Sequence, residues 1–344
     1  MGFSIVTALL LSLRSPVPLS TAALILVAIS LVVATNRLNF IALSLFPIFF
    51  YIFQHSDRRK VLRNFSIAIT SGFFAVFFAN KLLGFNSEYT LYFWRDALGT
   101  FIYRESLGFI HPNQAMMAWS VVILSLIGYQ RFMPRLWQLI VLAPTSVYFF
   151  QATESRSASY VLVFTFLFAF VSFRKIAVRS SEFEVFIVRY LPTISLLASL
   201  TLPLLAQNTQ INNLLTGRPA IAAVFLNQKN AISFLGNIDV ENSVFDNGYL
   251  HTLIAKGVIF ETIFLVLLFV IFSNPKHISK ASFTVLFFYI TYSLGETALL
   301  NCSLIFVSAL MLAEDRHQWG SIHTKQDLSK IAPDSKLTKL GFER

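Results

Sequence analysis

Cysteine occurs once, at Cys302 inside an apolar run, so neither a disulfide framework nor a thiolate metal site can form within one chain. Charge is scarce too: 13% of residues are charged against 56% hydrophobic, a balance that no soluble domain of this length buries around one core. Walker-type phosphate loops, zinc-ligand spacings and a Gly-x-Ser-x-Gly elbow are absent, so none of the chemistries they announce is expected. No basic stripe interleaved with aromatics exists, which argues against nucleic acid as a partner despite the net charge of +10. Short alternating strands with polar inward faces are missing, which argues against a barrel. Met1 to Leu13 is apolar yet lacks a basic n-region and a small-residue cleavage site, so no cleaved signal peptide is expected. Neither a repeat of about 20–50 residues nor inverted symmetry is visible, which leaves one membrane domain over 1–313 and a polar cytoplasmic tail over 314–344.

What the chain has in quantity is apolar runs, rich in its 37 Phe and long enough for helices that cross roughly 30 Å of hydrocarbon. Their order predicts an all-α polytopic integral membrane protein with about ten transmembrane helices. The spans fall near 17–35, 40–53, 65–83, 114–129, 136–150, 158–173, 185–206, 248–272, 281–294 and 297–312. Basic residues gather in every second connection: Arg58, Arg59, Lys60 and Arg63, then Arg131 and Arg135, then Arg174, Lys175 and Arg179, then Lys276 and Lys280. Such clusters mark the cytoplasmic side, which puts both termini inside and the long connections 84–112 and 207–247 outside.

Outward cations need another reason, and Arg95, Arg104, Arg156, Arg218 and Lys229 are in or beside outward connections. Guanidinium groups fit phosphate oxygens bidentately and stay charged, so this set suits a lipid-linked pyrophosphate or another acidic substrate. Headgroup snorkelling, or pairing with Glu105 and Glu154, is the plain alternative. The richest stretch is RESLGFIHPN at 104–113, which places Arg104, Glu105, His111 and Asn113 at the mouth of a span, where polar groups are costly unless used or paired. Pro112 suits a first helical turn and sets His111 at a helix entrance. His111 and His251 are the outward histidines, and a neutral imidazole there accepts a hydroxyl proton, with His111 the first choice of base and His251 the second.

Apolar residues at three- and four-residue intervals between Tyr89 and Tyr103 predict an interfacial helix. At the start of the eighth span, Asn247 and His251 share one helix face and Tyr249 and Lys256 an adjacent one, with Lys256 expected to have a partner or a task. Asp246 either caps that helix or orients a substrate hydroxyl. Glu296, alone between two apolar spans on the outward side, is expected to pair with one of the arginines, with catalysis as the alternative. Asp239-Val-Glu241 resembles the acidic pair by which nucleotide-sugar glycosyltransferases hold a metal, but without a second ligand cluster no metal site is expected.

RESLGFIHPN at 104–113, ESRSA at 154–158 and DNGYL at 246–250 resemble, in the same order, stretches of the Wzy-type polysaccharide polymerases, relatives of the O-antigen ligases. The resemblance implies a glycosyltransferase-C-like enzyme of the bacterial inner membrane with its active site facing outward. It would polymerise undecaprenyl-pyrophosphate-linked oligosaccharide repeat units, needing no cofactor, with a flippase and a chain-length regulator as partners. Gly248 stands where the ligases carry a His before the Tyr, a departure from the ligase pattern. Displacing pyrophosphate at an anomeric carbon calls for cations and a base facing each other across the sugar. Arg104 and Arg156, with Arg218 from the long loop, are expected to grip the pyrophosphate, and arginines in that role make the reaction metal-independent. A transporter or flippase of lipid-linked oligosaccharides, an O-antigen-ligase-type transferase and a purely structural membrane partner are the competing readings.

Overall fold

The computed structural model describes residues 19–35, 38–95, 100–132, 135–215, 217–228, 231–240, 246–273 and 277–331. Apolar runs fold as helices, which keep every backbone N–H and C=O paired without help from solvent. In order these are α1 (Leu19–Thr35), α2 (Ala42–Gln54), α3 (Arg58–Leu83), α4 (Pro112–Gln130), α5 (Leu136–Thr153), α6 (Arg156–Val171) and α7 (Glu182–Thr201). Two short helices follow, α8 (Thr209–Leu214) and α9 (Arg218–Leu226), and then α10 (Gly248–Ser273), α11 (Lys280–Gly295) and α12 (Cys302–Ile331). The long connection 207–247 is therefore partly helical. Helix α12 continues well beyond the apolar run that ends near 312.

Helices Arg58–Leu83 and Gly248–Ser273, and Glu182–Leu205 counting the 3₁₀ turn that prolongs α7, are each long and apolar enough to cross a membrane. Leu82, Leu83, Leu167, Val171, Phe183 and Leu197 are all more than half exposed. Apolar surface on this scale is covered by lipid rather than water, and the chain is a membrane protein.

Helix α11 is the hub and packs against α4, α6, α7, α10 and α12, while α2 lies along α12 and α3 along α4. Trp119, Phe149 and Phe73 interlock edge to face or tilted where α3, α4 and α5 meet, with Trp119 Nε1 donating to Ser146 Oγ at 2.9 Å. One end of the bundle is tied by charge: Arg58 binds Glu314, Lys280 binds Glu184, and Arg131 binds Asp315 and Ser279 Oγ.

The interfacial helix expected between Tyr89 and Tyr103 is corrected. This stretch forms antiparallel strands β1 (Leu91–Arg95) and β2 (Thr100–Arg104), paired from Leu91 with Arg104 to Arg95 with Thr100. The segments LYFWR and TFIYR are aromatic and β-branched, and such side chains lose freedom in a helix but pack well in a strand. Residues 96–99 between the strands, Asp96 among them, lie outside the described residues.

Helix α10 is interrupted at Gly257, which has φ +90°. The segment 233–237 docks into the break: Val258 N–H donates to Ser233 O, Ile259 N–H to Phe234 O, and Asn237 N–H to Ile254 O at 2.8 Å. A Cβ on Gly257 would fall 2.4 Å from Gly236 N, and one on Gly236 would fall 2.2 Å from Ala255 O. Two glycines thus let two backbones touch. Gly257→Ala is expected to cost about 1–3 kcal/mol from the left-handed backbone alone. The loss should show as a lower midpoint in thermal unfolding of the detergent-solubilised protein, with Gly72→Ala, where a Cβ meets nothing within 4 Å, as the neutral control.

Candidate functional site

The stretch 104–113 links β2 to α4 and is pinned at its start. Glu105 N–H donates to Ala152 O and Arg104 Nε to Thr153 O, both at 2.8 Å, fixing Arg104 to the end of α5. Gly108 takes φ +88° beneath Val76 and Asn80 of α3, where a Cβ would fall 2.9 Å from each. Pro112 then opens α4 with His111 as its extended N-cap.

From Arg104 a hydrogen-bonded chain crosses the end of the bundle opposite the Arg131–Asp315 pair. Arg104 donates to Asn113 Oδ1 at 2.6 Å, and Asn113 Nδ2 donates to Glu296 Oε2 at 3.0 Å. Ser157 Oγ donates to Glu296 Oε1 at 3.0 Å and accepts from Arg218 at 2.7 Å. Arg218 also lies 3.5 Å from Glu296 and 3.7 Å from Asp246. Side chains from β2, the starts of α4, α6 and α9, the lead-in to α10 and the α11–α12 link therefore meet. Helices α4, α6, α9 and α10 all begin at this end, so four N-terminal dipoles add positive potential. Arg218 Nε is buried and has no hydrogen-bond partner among the described residues.

Glu296 is 6% exposed, and burial raises its carboxyl to about 7, a shift that Asp246 reinforces and Arg218 opposes. His111 moves the other way, lowered first by burial and then by the charge of Arg104. Its Nδ1 accepts the Asn113 backbone N–H at 3.1 Å, so the neutral ring carries its proton on Nε2. Accepting a proton at Nδ1 would break the cap that opens α4, so His111 can act as the expected first-choice base only by giving up that bond.

A cavity of about 330 Å³ adjoins the chain, with Ser157, Arg218 and Asn247 at its polar side and Tyr160, Leu202 and Leu294 among its apolar walls. Arg156 opens α6 next to Ser157 but has no ion-pair or hydrogen-bond partner among the described residues. Glu105 is drawn away from the chain into a 2.6 Å bridge to Lys81. Asn247, not Asp246, caps α10: its Oδ1 accepts Leu250 N–H at 2.9 Å, while its Nδ2 ties α10 to Ser199 and to Leu294 O. Tyr249 is fully buried and donates to Ile290 O, and His251 is half-buried on the next turn. Lys256 stands at the helix break, its ammonium 5.7 Å from the Phe40 ring centre and 5.9 Å from that of Phe260.

The side chain of Arg95, and Lys229 and Glu241 entirely, lie outside the described residues. Asp239 sits in a 3₁₀ turn with its N–H held by Asn237, and among the described residues no three His, Cys, Asp or Glu groups converge as a metal site would need. Sequence reasoning passed over Ser157, whose only signal was its place beside Arg156 at a helix start. Compared with protein-family models, curated proteins and solved structures, the chain matches none.

Proposed function

We propose that the chain is a bacterial inner-membrane glycosyltransferase of polymerase type. In this reading it has about ten spans, both termini in the cytoplasm and a glycosyltransferase-C-like arrangement. It passes a growing glycan from undecaprenyl pyrophosphate to the next lipid-linked repeat unit on the outer face. The observation that carries this is the convergence of Arg104 and Arg218 on one carboxylate, Glu296, at the bundle end remote from the basic clusters. Two guanidiniums, four helix N-termini and a buried unpartnered Nε on Arg218 form an anion site beside an apolar cavity. Arg156, next to Ser157, supplies a third cation. The leaving diphosphate takes the electron pair of the breaking anomeric C–O bond while the acceptor hydroxyl attacks. The hydroxyl proton goes to Glu296, a carboxylate poised near neutrality, in preference to His111, whose acceptor nitrogen is occupied. His251 remains the second imidazole, half-buried at the start of α10.

One observation favours the flippase reading: α10 is interrupted beside buried Lys256, as transporter helices are at their binding sites. Reconstitution separates the two. Liposomes holding the purified chain and a lipid-linked repeat unit should yield a ladder of longer glycans in EDTA as well as without it. Movement of single units without elongation would support the flippase instead. Elongation lost in EDTA and restored by magnesium would overturn the arginine-based, metal-independent mechanism.

The site also sets a pH dependence. Because the folded Glu296 carboxyl lies near 7 against 4.5 for the free side chain, its contribution is fully present below pH 4.5 and is lost as pH rises through 7. Wild-type protein should lose about 1–3 kcal/mol relative to Glu296→Gln between pH 5 and 8, read as the difference in thermal midpoints. His111, shifted below 6.5, works oppositely and weakens the fold as pH falls beneath that value. Parallel midpoint curves for the two proteins would remove Glu296 as the titrating group.

A further inference from the structure

At the end of the bundle opposite the candidate site, a groove of about 570 Å³ opens between α3, α4 and α5. Ile67, Leu126, Val141 and Leu142 line its length, Arg63 and Arg135 stand at its basic end, and no Asp or Glu is part of the lining. Arg63 lies in the second turn of α3 and Arg135 just before α5, so both guanidiniums belong to the basic end that also holds Arg131. Arg63 has no ion-pair partner among the described residues. Ile67, Trp137 and Val141 are each more than half exposed, so the groove opens sideways, toward lipid.

Polar atoms inside the groove reinforce the asymmetry. Ser66 Oγ, Thr70 Oγ1 and Gln138 Oε1 are buried without a hydrogen-bond partner among the described residues, and Ser66 as a whole is 4% exposed. A buried hydroxyl left unpaired costs about 1–3 kcal/mol, so these atoms need something that donates or accepts beside the apolar wall. A neighbouring protein helix would satisfy the wall but leave Arg63 without an anion. A free phosphate would satisfy Arg63 but leave the wall bare.

We propose that this groove binds an anionic phospholipid from the leaflet on the basic side of the bilayer. Its phosphate sits against Arg63 and Arg135, its ester oxygens accept from the Ser66 and Thr70 hydroxyls, and one acyl chain runs along Ile67, Leu126 and Val141. Basic recesses between membrane helices on that side recognise anionic headgroups by this combination of point charge and apolar length. The inference rests on the chain being a membrane protein and is independent of what the opposite end does.

Native mass spectrometry of the full chain in detergent, titrated with phosphatidylglycerol or phosphatidylcholine of matched chains, tests it. One phosphatidylglycerol should be retained at least about fivefold more tightly than phosphatidylcholine, a difference of about 1 kcal/mol. The double variant Arg63→Ala, Arg135→Ala should bind the two lipids equally. Val141→Trp, a change at a groove position more than half exposed that keeps both arginines, should narrow the groove and lower retention of both lipids with an unchanged thermal midpoint. Millimolar inorganic phosphate should leave retention unaltered. Equal binding of the two lipids by the wild type, an undiminished preference in the double variant, displacement by phosphate alone, or a dimer in place of the lipid adduct would each overturn the proposal.

Discussion

Under the proposed polymerase function, Arg218→Ala is expected to leave single repeat units at the cell surface and to remove the polymer ladder, with residual elongation down by about 10²–10³-fold. Arg218 is the residue on which both halves of the candidate site depend: it touches Ser157, faces Glu296 at 3.5 Å and Asp246 at 3.7 Å, and keeps a buried Nε unused. A diphosphate entering beside Ser157 meets that free N–H. Removing the guanidinium leaves the departing charge without its nearest cation, and also leaves Glu296 to neutralise itself by holding its proton, which disables it as an acceptor. Both consequences lower the rate of transfer, and neither hinders carriage of a finished unit across the bilayer. Arg218→Lys keeps the charge but loses the two-pronged geometry, so it should recover only part of the activity. Arg104→Ala should give the same unpolymerised single units, because Arg104 acts on Glu296 through Asn113. Arg218→Ala cells that export no units at all would point to a flippase, and cells that elongate normally would end the proposed mechanism.

The parts of this arrangement visible in the sequence are those set by local rules. Apolar runs placed most of the helices within a few residues, since hydrocarbon-length runs have one regular way to pair their backbone, although α3 starts well before its run and α12 continues well past the one that ends near 312. His111-Pro112 announced the start of α4, and the cations at 104, 156 and 218 were conspicuous because the positive-inside pattern leaves them unexplained. What stayed hidden depends on tertiary partners. Residues 91–104 carry a three-to-four spacing that suits a helix and a composition that suits strands, and pairing between the segments decided for strands. Asp246 and Asn247 are equally good caps by type. The neighbouring Arg218 draws one toward itself and leaves the other to Leu250 N–H. Gly257 looks like any glycine in an apolar run until the segment at 233–237, far away in covalent terms on the other side of the loop, is seen to need its missing Cβ. Ser157 gains its role only because α11 ends where α6 begins.

Asp315→Ala should destabilise the protein by about 3–5 kcal/mol, because it takes one member out of a buried ion pair and leaves the other charge in place. Arg131 and Asp315 are paired with side chains 3% and 0% exposed, and Asp315 also accepts the Ser279 N–H at 3.1 Å, which starts α11. Losing the carboxylate strands a guanidinium where water cannot reach it and orphans a backbone donor as well. Replacing both charges, as in Arg131→Met with Asp315→Leu, should recover most of the loss, because two apolar side chains need no partner. The Ser279 N–H remains unpaired in that double variant, so roughly 1–3 kcal/mol should persist. Thermal midpoints of the purified single and double variants decide the matter: a double variant no better than Asp315→Ala would mean that the pair is worth no more than the backbone bond. The consequence reaches the opposite face. Arg131 ends α4, Ser279 starts α11 and Asp315 lies in α12, so this cluster sets the axial register of three packed helices. Two of them deliver Asn113 and Glu296 to their 3.0 Å contact at the other end, about 28 Å away along a 19-residue helix. A slip of one residue at the basic end moves a helix by about 1.5 Å, enough to break that contact. Asp315→Ala protein that remains folded should therefore lose transfer activity along with stability, and the double variant should regain both together.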